Sequence, residues 1–255
     1  MKADNFSLHT YFDRIGFTGE PRADLAGVTD MMRLQLFSVP FENLDVQAGK
    51  GISLQPEAIV DKLVGRRRGG YCYEVNGLFA MALQALGIPY RFVAARPMIY
   101  PVARPRTHMA LVVRLDDADW LIDLGFGANG IRAPLRLDET GVEVRQDFDT
   151  YVLGRPNERE YLLRARVNGE WANQYSFDLS HQEWIDFMPA NYLNSTHPDS
   201  LFVQKLLVML QHPEGRTILF DGRLKTRVRG KVTVRKVAPE AVNQVLSEVF
   251  GLIQS

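Results

Sequence analysis

The sequence predicts an α+β fold in which helices, antiparallel strands and a mixed tail occupy successive stretches of the chain. Three observations predict it. Apolar residues recur with helical spacing up to residue 88, and past Pro89 they fall in short β-branched and aromatic runs separated by turn signals. From about residue 191 strand runs precede one closing helix, so the expected division is 1–88 helical, 89–190 β and 191–255 mixed α/β. With 255 residues, 46% hydrophobic and 24% charged, the chain is long and apolar enough for a sizeable core.

In the first region Leu8, Tyr11, Phe12 and Ile15 share one face of a helix that Ser7 caps and Gly16 ends. A second helix runs from about Ala23 to Leu36, with Leu25, Val28, Met32 and Leu36 on one side and Pro40 beyond it. Val39-Pro40-Phe41-Glu42-Asn43-Leu44-Asp45 reads as a turn with capping side chains. Pro56 opens a third helix through Val64. A fourth begins at Cys72, with Val75, Leu78, Phe79, Met81, Leu83 and Leu86 as core candidates, and closes at Gly87 and Pro89.

Tyr90–Ala95, Met109–Leu115 and Trp120–Leu124 read as strands, the last two flanking the turn-like Asp116-Asp117-Ala118-Asp119. Tyr161–Phe177 reads as a hairpin around Asn168-Gly169, a dipeptide that tolerates positive φ. Ser180-His181-Gln182-Glu183 matches a capping box before a short helix at Trp184–Phe187. The tail offers strands at Leu206–Leu210, Arg216–Phe220 and Lys225–Val237. Its helix runs from Pro239 to about Phe250, with Val242, Val245, Leu246 and Phe250 as the apolar face.

Thirty basic residues balance thirty acidic ones, which argues against nucleic-acid and membrane-surface partners. A single cysteine excludes an internal disulfide, and MKADNFSLHTYF lacks a basic-then-apolar leader, so a reducing cytoplasm is expected. No Cys/His cluster is spaced for a metal. A monomer or a homodimer is expected.

That cysteine, Cys72, follows Arg66-Arg67-Arg68-Gly69-Gly70-Tyr71 and opens a helix. Free N–H groups, a partial positive charge and nearby arginines favour a thiolate there, whereas the ordinary alternative is a buried structural cysteine. A cysteine nucleophile needs a base and a group to orient the base. Of five histidines, His9, His181, His197 and His212 lie in a helix pattern or in polar turns, but His108 opens an apolar strand. Asp123, an acid inside Trp120-Leu121-Ile122-Asp123-Leu124-Gly125-Phe126-Gly127, requires a partner or a solvated cleft. A two-residue turn at Asp117-Ala118 would pair Val112 with Asp123 and leave His108 opposite Gly127. Joining His108 to Asp123 therefore demands an offset turn, a bulge or a bend.

Arg68-Gly69-Gly70-Tyr71-Cys72-Tyr73-Glu74-Val75-Asn76 resembles the RGGxCxExN signature of the arylamine N-acetyltransferases. Pro40-Phe41-Glu42-Asn43, Arg106-Thr107-His108 and Asp123-Leu124-Gly125-Phe126-Gly127 are similar to that family's other motifs, in the same order, over the first half of the chain. The resemblance implies a papain-like cysteine-protease-type fold: a helical bundle bearing the cysteine, a central antiparallel β-barrel bearing His and Asp, and a C-terminal α/β lid. It implies a Cys72, His108, Asp123 triad in a cytoplasmic enzyme of xenobiotic metabolism. That enzyme would move acetyl from acetyl-CoA, through acetyl-cysteine, to arylamines, hydrazines or arylhydroxylamines, with no metal. Phe126, Tyr71, Phe41 and Met98 are the expected acceptor contacts, and Arg104 and Phe202 the expected CoA contacts. Arg66-Arg67-Arg68 could meet phosphate, but salt bridges that set the start of the cysteine helix are the favoured reading. Two competitors remain: a hydrolase or transglutaminase-like enzyme using the same three residues, and a noncatalytic thioester- or aromatic-binding module.

Overall fold

Local signals shape the first region as expected. In the computed structural model, which describes residues 1–127 and 129–252, Ser7 accepts from the Thr10 amide and caps α1 (Leu8–Ile15), which ends at Gly16 with φ 71°. Asp24 caps α2 (Leu25–Ser38) through the Gly27 amide. The segment read as a turn instead yields β1 (Phe41–Glu42) and α3 (Leu44–Gln47). Two residues of strand are too few to leave a period in the sequence. The third expected helix is α4 (Pro56–Val60) followed by a π turn, Asp61–Gly65. Buried Arg14 of α1 holds this junction, donating to the carbonyls of Leu63 (2.7 Å), Ser38 (2.7 Å) and Arg68 (3.2 Å).

α5 (Cys72–Ala85) is buried from Cys72 through Leu83 and so has no solvent face. That distinguishes it from a surface helix and makes it the centre of the packing. α1 and α4 lie against it from the helical side. On the other side stand β2 (Tyr90–Pro97) and β3 (His108–Leu115). With β4 (Ala118–Ile122), β5 (Leu135–Arg136), β6 (Glu143–Gln146), β7 (Asp149–Gly154), β8 (Tyr161–Val167) and β9 (Glu170–Phe177) they form an antiparallel, barrel-like sheet in the order β5-β4-β3-β2-β9-β8-β7-β6. Asn168 (φ 53°) and Gly169 (φ 91°) turn the β8–β9 hairpin as expected.

The β3–β4 turn decides the site. It is Asp116-Asp117, with φ 48° and 61°, one residue earlier than a turn at Asp117-Ala118. Leu115 therefore faces Ala118 and Leu111 faces Ile122. Continuing that register sets Asp123 opposite Ala110, on the same face as His108 and diagonal to it. Diagonal neighbours lie within reach of long side chains.

After the sheet, the expected capping box at Ser180–Glu183 moves three residues on: Asp186 accepts from the Glu183 amide (2.7 Å) and begins a 3₁₀ turn, Trp184–Phe187. α6 (Met188–Thr196) and α7 (Leu201–Gln204) lead to β10 (Leu207–His212), β11 (Gly215–Phe220), β12 (Arg223–Val228) and β13 (Lys231–Lys236). The single strand expected over Lys225–Val237 is thus a hairpin, turned at Arg229-Gly230 (φ 48° and 83°). β1 completes this sheet by pairing Phe41 with Met209, so the region before the cysteine is tied to the tail. α8 (Val242–Phe250) covers a smaller core of Val208, Leu219, Leu224, Val245, Leu246 and Phe250. The larger core is continuous from α1 and α2 through α5 into the barrel strands.

Candidate active site

The loop before Cys72 is held by charge. Glu42, wholly buried, accepts from Arg68 Nε (3.0 Å) and Nη2 (2.8 Å) and from the Leu44 amide (2.6 Å). Lys62 bridges Asp45 (2.8 Å) and Glu74 (2.7 Å), and Glu74 accepts from the Tyr71 amide (3.0 Å), closing the first turn of α5. Arg68 thus forms the salt bridges favoured by the sequence, while Arg66 pairs with Asp61 at 3.1 Å on the surface. Three carboxylates face two cations. Burial pushes Glu74 up to about 7 against the pull of Lys62, and although burial disfavours the Lys62 ammonium, Glu74 and Glu42 raise its proton affinity above the usual lysine value. Gly69 is required where the loop passes Pro40, since a Cβ there would lie 2.1 Å from the Pro40 carbonyl oxygen.

His108, 4% exposed, meets the wholly enclosed Asp123 side chain through Nε2–Oδ2 at 2.7 Å. Asn76, one turn after Cys72, holds the carboxylate in place. It donates to Asp123 Oδ1 (3.2 Å) and the Met109 carbonyl (2.7 Å) and accepts from the Leu124 amide (2.9 Å). The Gly125 amide adds a hydrogen bond to Oδ1 at 2.8 Å. Any side chain at 125 would collide with the backbone of Cys72, its Cβ falling 2.5 Å from Cys72 Cα. Burial disfavours the imidazolium, but the charge and hydrogen bond of Asp123, then the hydrogen bond and charge of Cys72, outweigh it and raise His108 from 6.5 to about 10. Cys72 lies near enough to the imidazole to raise its proton affinity, and its Sγ stands 4.0 Å from the Thr107 carbonyl.

Cys72 and His108 open on a cavity of about 370 Å³, the size of a small-ligand pocket. Phe41, Phe126, Arg104 and Phe202, all singled out from sequence, line it, as do Ile99, Tyr100 and Asn194. Two expected contacts stand off it. Tyr71, wholly buried, bonds Asn191 and packs edge-on against Phe202 (5.6 Å between ring centroids), so it backs the wall. Met98 donates its amide to the Gln174 carbonyl and leaves its side chain 37% exposed outside the cavity; the alternation along an extended chain gives the inward position to its neighbours. Sequence reasoning missed Tyr175, whose ring lies 5.0 Å from His108 and 4.8 Å from Phe126, and Asn43, which donates to the carbonyls of Phe202 (2.7 Å) and Lys205 (2.8 Å). Tyr175 is one more apolar strand position in the sequence and carries no signal there; Asn43 stood inside a motif but was read as a turn residue. Among the described residues no group of carboxylate, His and Cys side chains could hold a metal ion, and no helix is long and apolar enough to cross a membrane.

The family model described as N-acetyltransferase matches residues 24–254. The arylamine N-acetyltransferase of Mycobacterium tuberculosis is 36% identical over 254 residues, covering 96% of this chain and 89% of the relative. The chain belongs to the arylamine N-acetyltransferase family. A relative from Salmonella typhimurium, an arylamine N-acetyltransferase / N-hydroxyarylamine O-acetyltransferase, is 32% identical over 96% of this chain and 88% of its own length. The solved M. tuberculosis arylamine N-acetyltransferase superposes with a TM-score of 0.91 at 36% identity, covering 96% of this chain and 93% of that one. A Mycobacterium marinum arylamine N-acetyltransferase solved in complex with CoA superposes at 0.90, with 33% identity over 96% and 92% of the two chains. The papain-like α+β fold expected from the motifs is therefore the fold of an arylamine N-acetyltransferase, and the chain is an acyltransferase of that family.

Proposed function

We propose that this family member carries acetyl on Cys72 from acetyl-CoA to arylamines, hydrazines or arylhydroxylamines in a ping-pong cycle. The observation that carries the reading is the His108–Asp123 pair at 2.7 Å, with His108 and Cys72 lining one cavity. The Cys72 thiolate attacks the thioester carbonyl, His108 gives a proton to the departing CoA sulfur, and the acetyl group remains on Sγ. The exchange of one thioester for another is nearly even in energy, so the covalent step divides one hard transfer into two easier ones. Acetylation removes the sulfur's negative charge and with it part of what holds the imidazolium. His108 is then neutral enough to take a proton from the incoming amine, while Asp123 keeps the tautomer fixed.

Phe126 and Phe41 supply aromatic walls for the acceptor, and water exclusion by such walls suppresses hydrolysis of acetyl-Cys72. Arg104 and Phe202, both on the cavity wall, are the proposed CoA contacts, the guanidinium for an anionic group and Phe202 for its ring. We place the reaction in the cytoplasm, assign the domains as 1–88, 89–190 and 191–255, and expect a monomer or a homodimer. Incubation with acetyl-CoA adds one acetyl group at Cys72 by intact mass, and a primary arylamine then removes it. Amine-independent peptide cleavage with no adduct would instead support the hydrolase reading.

A further inference from the structure

Asn194 sits in the last turn of α6, 7% exposed, and lines the same cavity as Cys72, His108 and Phe126. Its Nδ2 donates to the Thr107 carbonyl at 2.9 Å. Tyr73 Oη donates to that same oxygen at 2.9 Å, and Cys72 Sγ lies 4.0 Å from it, so the amide is anchored beside the nucleophile. The anchor also fixes which way the amide points, because the flipped orientation would set two oxygens face to face. Oδ1 has no protein partner among the described residues, yet it is not among the polar atoms sealed from solvent. In a residue so buried, its free side is the cavity.

We propose that Asn194 Oδ1 accepts an N–H of the amine as it attacks acetyl-Cys72, so that among amine and hydrazine acceptors the site favours a reacting nitrogen that carries two hydrogens. This rests on the acetyl-cysteine reading above. In that step the nitrogen lone pair forms the C–N bond and the C–S bond breaks with its electrons going to sulfur. One N–H proton passes to His108; the other hydrogen stays on the amide product. Asn194 meets the hydrogen that stays. An N-methyl amine has none to offer and leaves Oδ1 desolvated and unpaired, a loss of about tenfold for one buried hydrogen bond.

The test follows deacetylation of pre-acetylated enzyme by an aniline and by its N-methyl derivative, in wild type, Asn194→Leu and Asn194→Ala. Because the preference is a ratio of two rates on one preparation, it is insensitive to any loss of folded protein. The expected result is that the primary-over-N-methyl preference shrinks about tenfold in both variants. Acetylation of Cys72 by acetyl-CoA, which involves no acceptor, should slow by less than transfer to the primary amine does in the folded fraction. An unchanged preference overturns the proposal. So does acetylation slowed as much as transfer, which would make Asn194 an acyl-donor contact or a structural prop. Absence of any acetyl group on wild-type Cys72 is a separate outcome that removes the acetyl-cysteine reading itself.

Discussion

Two buried ion pairs flank the same cysteine at the same separation, yet they do different work. Lys62–Glu74 and His108–Asp123 are each 2.7 Å apart, one before the first turn of α5 and one across the cavity mouth. The lysine belongs to a lattice of five charges that ties β1, the π turn and the arginine loop to the helix start. That lysine holds its proton more tightly than a free lysine does. His108 has one carboxylate and one sulfur as neighbours, and in the proposed cycle that sulfur alternates between thiolate and thioester. The lesson is that burial and short distance alone do not mark a catalytic pair: what matters is whether a partner's charge changes along the reaction.

The largest expected effect removes the cysteine that both pairs flank. Cys72→Ser should leave no acetyl adduct by intact mass and lower transfer by on the order of 10⁴-fold or more. Asp123→Asn breaks only the second pair. It should slow both acetylation and iodoacetamide alkylation of Cys72 by about 10²- to 10⁴-fold, because the imidazole loses its tautomer and its counter-charge. Unchanged alkylation near neutral pH would contradict the orienting role of Asp123.

Lys62→Met tests the first pair. It strands Glu74 and Asp45 in a buried setting and should cost about 3–5 kcal/mol in urea unfolding, with alkylation of the folded fraction far less affected than in Asp123→Asn. Glu74→Gln, which keeps an oxygen for the Tyr71 amide and leaves Lys62 on Asp45, should cost much less. A comparable alkylation loss in both pairs would erase the distinction drawn here.

The pairs also differ in their pH signature. His108 holds its proton more tightly in the folded chain than unfolded, so its contribution to stability is complete below about 6.5 and is lost as the pH rises toward about 10. The melting temperature should fall across that window, and fall less in Asp123→Asn. The smallest effect concerns the cavity wall: Phe126→Leu should raise KM for an aromatic acceptor about 3- to 10-fold with little change in Cys72 acetylation.

Much of this was legible from residues alone. Ser7, Asp24 and Gly16 act within a few residues of the helices they cap, and Asn168-Gly169 sets its hairpin by its own backbone preference. Cys72, His108 and Asp123 stood out because each is chemically out of place in its stretch. Glu42 caps the Leu44 amide as a turn residue would, but its pairing with Arg68 and the bonds of Asn43 to Phe202 and Lys205 are hidden from local reading because those partners are 26 to 162 residues away. Met98, an expected acceptor contact, stands off the cavity while its chain neighbours Pro97 and Ile99 line it.

The sequence by itself determined the succession of helical, β and mixed stretches and singled out Cys72, His108 and Asp123 as candidates, because those rest on local periodicity and on side-chain chemistry that no fold can alter. Only the tertiary structure decided whether the three meet. A one-residue difference in the β3–β4 turn moves Asp123 from beyond reach to the diagonal of His108, and no local preference separates Asp116-Asp117 from Asp117-Ala118 strongly enough to settle it. The choice is made by packing, where β3 must put Met109 to Val113 into the core while Gly125 closes on Cys72 Cα.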